Sequence, residues 1–235
     1  MSSRTRNSLR NLRTRKYFDE RAAVWDQYYA ADGVMRNRIE RFVGALAARS
    51  PHVGRLLDYG CGTGEITRAC VTAGWQVTGC DVAPAMVEKA RRVQGGETVE
   101  WVTLETGRAS SLPFPSASFD AVIASSVFEY LDDPVATLDE LGRILAPGGW
   151  LLATVPEMRH SYRKVEKTRQ RLVRILPLRL FVQLTPWRHM ANYLRLSTNR
   201  FSVEEWHEML EAVNLHTETA PLGEDPLYLL AAKKR

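Results

Sequence analysis

The stretch LLDYGCGTGE, residues 56–65, decides the fold. An apolar pair enters it, an acid follows, and three glycines alternate with small side chains before ITRAC, residues 66–70, takes up helical spacing. This pattern predicts a strand that ends in a tight loop and opens a helix. Glycine suits the loop because the backbone must turn sharply and approach a ligand with no Cβ in the way. The free N–H groups of the loop and of the helix N-terminus are therefore expected to line a pocket.

The spacing of the glycines restricts the ligand. A dinucleotide-binding fingerprint has glycine at its first, third and sixth places, so that a pyrophosphate meets the helix. Here the glycines are residues 60, 62 and 64, and Glu65 fills the sixth place. Glu65 and Asp58 would both repel a pyrophosphate, whereas Asp58 could hold a cation such as the ammonium group of an amino acid.

The D-x-G-C-G-T-G form of residues 58–64 resembles the first motif of the class I S-adenosylmethionine (SAM)-dependent methyltransferases. The resemblance implies SAM as cofactor and S-adenosyl-L-homocysteine (SAH) as product. The cofactor-binding candidates that it implies here are Asp58, Gly60, Cys61, Gly62 and Gly64. A glycine-rich turn without a ligand is the alternative interpretation.

Strand and helix patterns alternate along most of the chain. Strands are predicted over residues 55–59, 76–80, 99–104, 121–125, 150–155, 216–220 and 227–232. This alternation predicts an α/β fold with a doubly wound, mostly parallel, seven-stranded sheet and its ligand at the carboxyl ends of the strands. Residues 145–151, of the form L-x-P-G-G-x-L, also resemble the family, which implies its Rossmann-like fold with a helical insertion before the last two strands.

Further cofactor contacts are expected after the second strand. That strand ends at Asp81, where an acid can accept hydrogen bonds from both hydroxyls of a ribose. Met86 is expected to lie against the purine, although a plain core methionine would show the same pattern. The other cofactor-binding candidates that the resemblance implies are Tyr17, Val82, Ser125 and Phe128.

Residues 106–120 resemble another stretch of the family, G-D-A-x-x-L-P-F-P-x-x-S-F-D, with one departure. The family usually has Asp, which accepts a hydrogen bond from the adenine amino group, at the place of Arg108. Because Arg carries only donors, this contact must be lost or moved to the backbone. Arg108 and Ala109 are still expected to line the adenine.

The 235 residues suffice for one α/β domain, and the net charge of +5 is unevenly placed. Residues 1–16 carry six cations and no acid, which predicts a basic, disordered or loosely helical arm before a single domain over residues 17–235. The Arg- and Ser-rich start also resembles an organelle transit peptide. The three cysteines have no metal-ligand spacing, which favours a reducing, cytoplasmic location and predicts no metal site.

Two segments are candidates for covering the ligand. Residues 17–48 are predicted to form two helices, and the resemblance implies an N-terminal lid with Tyr17 and Trp25; an ordinary packed apolar face is the alternative. Residues 157–200 carry eleven cations and two acids and resemble the family's substrate-binding insertion. Within them, residues 172–182 could form a hydrophobic lid or touch a membrane surface. Ordinary packing with a solvated basic face is again the alternative.

Methyl transfer from SAM requires alignment of the acceptor and, where the nucleophile must lose a proton, a general base. Candidates on the substrate side of the sheet are Glu129, Tyr130, His160 and His189. We select Glu129 and His160 as the catalytic pair to test, because they follow the fourth and fifth strands.

Three interpretations of function follow. The first is transfer of a methyl group to an O (or N) atom of a small acidic or lipophilic molecule. The second is RNA methylation, suggested by the two basic segments; however, residues 125–128 lack the N/D-P-P-Y/F motif of base-modifying amino methyltransferases, and the arm lacks interleaved aromatic residues for stacking. The third is a non-catalytic SAM-fold subunit that binds a partner protein.

Overall fold

The computed structural model describes residues 3–30, 33, 35–50, 52–95, 97–105, 111–172, 185, 187–219 and 225–235. The predicted adenine contacts Arg108 and Ala109 lie outside these ranges, as do residues 173–182 of the predicted hydrophobic lid. The predictions for them stay predictions.

One seven-stranded sheet forms the centre of the described chain. Its strands are β1 Arg55–Tyr59, β2 Gln76–Asp81, β3 Glu100–Thr103, β4 Phe119–Ser125, β5 Leu145–Pro156, β6 Leu215–Glu218 and β7 Leu227–Lys234. They lie in the order β3-β2-β1-β4-β5-β7-β6. The first five strands pair in parallel, and β7 runs antiparallel to both β5 and β6. The predicted fold class is therefore confirmed, with an antiparallel end.

Helices cover both faces of this sheet. Those that the structure describes are α1 Ser3–Asp19, α2 Arg36–Arg49, α3 Glu65–Thr72, α4 Pro84–Arg92, α5 Pro134–Ile144, α6 Ser161–Leu172, α7 Arg188–Leu196 and α8 Val203–Ala212, with 3₁₀ helices at Ala22–Tyr29 and Phe128–Tyr130. The sequence also predicts the start of α8, where Ser202 and Glu205 form a capping box. Among these helices, none has both the length and the apolar composition needed to cross a lipid bilayer.

Two layers of core explain why the strands are almost uniformly apolar. Leu56 and Leu57 are adjacent in β1 and point to opposite faces, yet both are fully buried. Leu57 belongs to a cluster with residues of α5 and α8, and Leu56 to a cluster with residues of α2 and α3. A parallel sheet covered on both faces has this pattern.

The described part of the basic N-terminal segment is helical, which is one of the two conformations predicted for it. Residues 3–16 lie in α1, and the expected boundary at residue 16 falls inside that helix. The end of α1 is attached to the domain, because the Asp19 carboxylate accepts a hydrogen bond of 2.9 Å from the backbone N–H of Ala85. Thr14 is also buried. The C-terminal end of this helix thus contacts the domain, and the interpretation of residues 1–16 as a flexible arm stays a prediction.

Candidate active site

A cavity of about 1080 Å³ opens at the carboxyl ends of β1, β2 and β4. Asp58, Asp81 and Ser125, which end or nearly end these three strands, lie in its wall. Side chains of α1, the first 3₁₀ helix, α2, α6 and α7 close it from the other side. The site therefore lies where a doubly wound sheet is expected to bind its ligand.

The glycine loop forms the floor of the cavity in a conformation that few residues can adopt. Gly60, Gly62 and Gly64 have φ values of 77°, 56° and 83°. The backbone N–H groups of Gly60 and Cys61 both donate to the Cys80 carbonyl, at 2.8 and 3.0 Å. A Cβ on Gly60 would lie 2.3 Å from Cγ2 of Val127. The loop is thus held against the end of β2 with its backbone towards the cavity.

Asp81 connects the loop to the next helix. Its Oδ2 accepts a hydrogen bond of 3.0 Å from the Gly62 N–H, and its Oδ1 accepts one of 2.8 Å from the Ala83 N–H. Burial raises the pKa of Asp81 to about 6, although these backbone donors oppose the shift. Each oxygen keeps a further lone pair. The carboxyl group therefore fits a pair of ribose hydroxyls.

Asp58 is a carboxyl group that lacks a counter-charge among the described contacts. Its side chain is 2% exposed, and its Oδ2 accepts a hydrogen bond of 2.6 Å from the Thr67 hydroxyl. Burial raises the pKa of Asp58 to about 7, and the charges of Asp81 and Glu65 add to this effect. An ammonium group would stabilise the ionised form. Asp58 therefore fits the amino group of SAM.

Arg38 is a cavity residue that the sequence reasoning missed. Burial raises the pKa of Tyr29 to about 12 against the opposing charge of Arg38, with Asp58 also close enough to contribute. No described carboxylate lies within ion-pair distance of Arg38. The charge of Arg38 also reaches Tyr130, where it opposes the rise in pKa that burial causes. A guanidinium in the cavity wall near Tyr29 fits the carboxylate of an amino acid whose ammonium faces Asp58. The only sequence signal was a cation on the helix before the first strand, and α2 carries several.

Most of the predicted site residues lie together in the cavity wall. The ones that line it are Tyr17, Asp58, Gly60, Cys61, Gly62, Asp81, Val82, Met86, Ser125 and Glu129. Trp25, predicted with Tyr17 as a lid residue, also lines it, with its Nε1 facing Gly62. Phe18 and Trp25 pack with Met86. The described helices before β1 therefore cover the loop side of the cavity.

Three predicted residues lie elsewhere. Gly64 is the N-cap of α3, and the place of its missing Cβ is 2.5 Å from the Trp101 ring, so it allows close packing. Phe128 is fully buried against the ring of Trp206 in the core. His160 is outside the cavity wall, and its Nδ1 accepts a hydrogen bond of 3.2 Å from the Tyr162 N–H at the start of α6. Gly64, Phe128 and His160 are thus not among the residues that line the cavity, and the roles predicted for them stay predictions.

Glu129 lies in a buried polar network at the far side of the cavity. Its carboxylate accepts hydrogen bonds from the hydroxyls of Ser197 and, at 3.3 Å, Tyr193. Burial raises the pKa of Glu129, against the Ser197 hydrogen bond and the charges of Arg163 and Arg200. Glu129 is 3% exposed but lines the cavity, which makes it the candidate for exchanging a proton with a bound molecule.

Comparisons with known proteins agree with this geometry. Residues 57–153 match the methyltransferase domain family. The chain is 33% identical over 135 residues to the malonyl-[acyl-carrier protein] O-methyltransferase of Enterobacter lignolyticus; the alignment covers 54% of this chain and only 52% of that relative. It is 30% identical over 203 residues to the demethylmenaquinone methyltransferase of Tropheryma whipplei, covering 84% of this chain and 78% of that relative.

A crystal structure of a SAM-dependent methyltransferase from Thermotoga maritima superimposes with a TM-score of 0.68 over 94% of this chain and 99% of that chain, at 19% identity. At that identity the likeness supports the fold alone. The alignment with the Tropheryma whipplei protein extends well beyond the glycine loop in both chains, and the cavity contains acids that fit SAM. The chain belongs to the class I SAM-dependent methyltransferases.

Proposed function

We propose that the protein transfers the methyl group of SAM to an O (or N) atom of a small acidic or lipophilic molecule. The observation that carries this proposal is the continuity of the cavity, which joins the glycine loop and Asp81 to a chamber lined by Glu129, Tyr130 and Tyr193. The names of the two relatives, a demethylmenaquinone methyltransferase and a malonyl-[acyl-carrier protein] O-methyltransferase, favour such an acceptor. The cytoplasmic location stays a prediction.

The residues of this chain would mainly align the acceptor and exclude water. SAM, when bound, supplies a methyl group that is already activated by its sulfonium. Holding two reactants in a productive geometry can lower a barrier by ~7–11 kcal/mol. The helices over the cavity, with Tyr17 and Trp25 in their inner faces, are placed to do this. A base is needed only when the acceptor atom must lose a proton.

Transfer itself is tested with SAM that carries a radiolabelled methyl group. The purified chain is incubated with a cell extract that is separated into small molecules and lipids, RNA, and protein. Label in the small-molecule and lipid fraction supports the proposal, and label in RNA supports the RNA methyltransferase alternative. SAM binding without transfer to any fraction would favour the non-catalytic subunit that binds a partner protein.

Glu129 is the candidate base that lies in the cavity wall. We expect Glu129→Gln to lower kcat by ~100-fold or more, because general-base catalysis typically contributes 10²–10⁴-fold and Gln cannot take up the proton. The KM for SAM should stay unchanged. His160→Ala is the matched control and should keep the kcat of the unaltered protein, since His160 lies outside the cavity wall. Full turnover by Glu129→Gln would mean that alignment alone drives the reaction.

The raised pKa of Asp58 predicts how SAM binding depends on pH. With a pKa of about 7, Asp58 is mostly protonated at pH 6, and the ammonium group of SAM must displace that proton. We therefore expect the Kd of SAM to rise by up to ~10-fold for each pH unit below 7 and to level off above it. Isothermal titration in two buffers of different ionisation enthalpy measures the proton released.

Asp58→Asn should abolish both the proton release and this pH dependence. An Asn variant with the pH dependence of the unaltered protein would assign the effect to another group, with Asp81 as the nearest alternative.

The stability of the folded protein also depends on pH through Asp58. Because the pKa of Asp58 is raised from 3.8 to about 7, its contribution to the stability of the SAM-free protein is fully present below pH 3.8 and is lost as the pH rises through 7.

A further inference from the structure

A second pocket of about 370 Å³ adjoins the main cavity on the side away from the glycine loop. Its lining residues are Tyr17, Arg21, Trp187, His189, Met190 and Tyr193. Tyr17, Arg21 and Tyr193 also line the main cavity, so these three side chains are the wall that the two spaces share. Trp187 is 66% exposed and Met190 is 38% exposed, which gives this outer pocket an apolar rim.

Arg21 is the cation in the shared wall. Its guanidinium lies 5.5 Å from the centre of the Tyr17 ring and 5.6 Å from that of the Tyr28 ring, and its Nη2 donates to the Tyr28 hydroxyl. Within the described part of the chain, its Nε is buried and has no acceptor, and no carboxylate lies within ion-pair distance. A buried charged donor without an acceptor is costly. The geometry therefore points to a ligand that supplies the acceptor.

The cofactor already has another cation for its carboxylate. Arg38 lies in the main cavity wall near Tyr29, is absent from the outer pocket, and is the cation that fits the carboxylate of SAM. Arg21 instead lies over the Tyr17 ring and lines the outer pocket together with Tyr193, whose hydroxyl donates a hydrogen bond of 3.3 Å to the Glu129 carboxylate. Arg21 is thus on the Glu129 side of the cavity, where the acceptor is expected.

We propose that Arg21 binds a carboxylate of the methyl acceptor, and that the outer pocket holds an apolar extension of the same molecule against Trp187 and Met190. This inference rests on the proposed function and narrows its substrate class to amphipathic carboxylates. The planar guanidinium matches the two oxygens of a carboxylate in a way that a single hydroxyl cannot. The exposed rim lets a long acceptor bind without complete enclosure.

The experiment uses octanoate as a probe and the full chain saturated with SAH. Isothermal titration should detect octanoate binding, whereas 1-octanol, which lacks the carboxylate, and acetate, which lacks the chain, should each bind at least ~10-fold more weakly. Arg21→Met should raise the Kd of octanoate by ~10-fold or more. Arg21→Lys keeps the charge but loses the planar pair of N–H donors, so it should raise the Kd by less. Trp187→Ala should weaken the binding of octanoate but not the binding of acetate.

Arg13→Met is the matched control, because it removes an exposed cation from α1 without touching either pocket. It should leave the octanoate Kd unchanged. Equal octanoate affinity in Arg21→Met and the unaltered protein would overturn the inference. So would a loss of SAH affinity in Arg21→Met beyond about twofold, which would assign Arg21 to the cofactor.

A different result would contradict the proposed function: binding of neither SAM nor SAH by the unaltered protein. Octanoate is therefore also titrated without SAH, so that the Arg21 site is tested in either case. Thermal unfolding of each variant shows whether it is folded. If Arg21→Met does not fold, the inference is tested with Arg21→Lys and Trp187→Ala instead. Unchanged octanoate affinity in both of these variants would overturn it.

Discussion

Asp81→Ala is expected to raise the Kd of SAM by ~100-fold or more, because two hydrogen bonds to a charged carboxylate are each worth ~1.5–3 kcal/mol. The substitution removes the proposed acceptors for both ribose hydroxyls. It also releases the backbone N–H groups of Gly62 and Ala83, which Asp81 holds at 3.0 and 2.8 Å. Isothermal titration with SAM measures the effect directly.

Two further variants separate binding from loop support. Asp81→Asn keeps one acceptor oxygen and should give an intermediate Kd. Asp120→Ala is the control, because Asp120 is a carboxylate that also accepts a backbone hydrogen bond, at 2.8 Å from the Arg55 N–H, but lies near the amino end of β4. It should bind SAM like the unaltered protein. SAM affinity that is unchanged in Asp81→Ala would mean that Asp81 only supports the loop.

The glycine-loop half of the site was predictable because it depends on consecutive residues. The strand that ends at Tyr59, the three glycines and the acid at the end of β2 each have a local signal, and the order of strands then brings them to one edge. Gly64 shows the limit of this reasoning. Its conformation was predictable, but its contact with Trp101 depends on how β3 pairs with β2.

The side chains that reach the site from helices and irregular segments were not predictable in the same way. Arg38 is one of several arginines in α2, and the rotation of that helix on the sheet determines that Arg38 lies in the cavity wall. His160 and Glu129 both follow strand ends, yet His160 lies at the start of α6 and outside the wall. Position along the chain does not give the direction of a side chain in irregular segments.

The basic insertion shows how composition can mislead. Its excess of cations suggested a solvated or membrane-facing surface, but Arg163 and Arg200 are almost fully buried around Glu166. Their hydrogen bonds to Glu166 measure 2.7 and 2.9 Å. Burial alone would raise the pKa of Glu166, but these contacts lower it. Arg200 is 34 positions from Glu166 along the chain, so only the packing of the insertion brings the three charges together.

This buried cluster also attaches the insertion to the 3₁₀ helix that follows β4. Arg200 donates a hydrogen bond of 3.1 Å to the Ser197 hydroxyl, which in turn donates to Glu129. The Glu129 carbonyl accepts hydrogen bonds from the N–H groups of Thr198 and Asn199, at 3.0 and 3.2 Å. Glu166 therefore neutralises the cations on which the wall of the acceptor chamber depends.

Glu166→Ala is accordingly expected to lower the free energy of unfolding by ~3–5 kcal/mol, because two buried cations lose their shared partner. Urea unfolding followed by tryptophan fluorescence measures this change. The control is Glu204→Ala, which removes an ion pair with Arg159 whose two side chains are 56% and 61% exposed, and which should leave the unfolding midpoint unchanged.

Replacing all three charges separates the burial of unpaired cations from a simple loss of packing. The triple variant Arg163→Met, Glu166→Leu, Arg200→Met should be more stable than Glu166→Ala, because no buried cation remains without its partner and Glu129, which loses the charges of Arg163 and Arg200, can take up a proton. A triple variant less stable than Glu166→Ala would contradict this account. Faster amide hydrogen exchange in α6 and α7 of Glu166→Ala, with α3 and α4 unchanged, would further locate the effect in the wall that holds Tyr193 over the acceptor chamber.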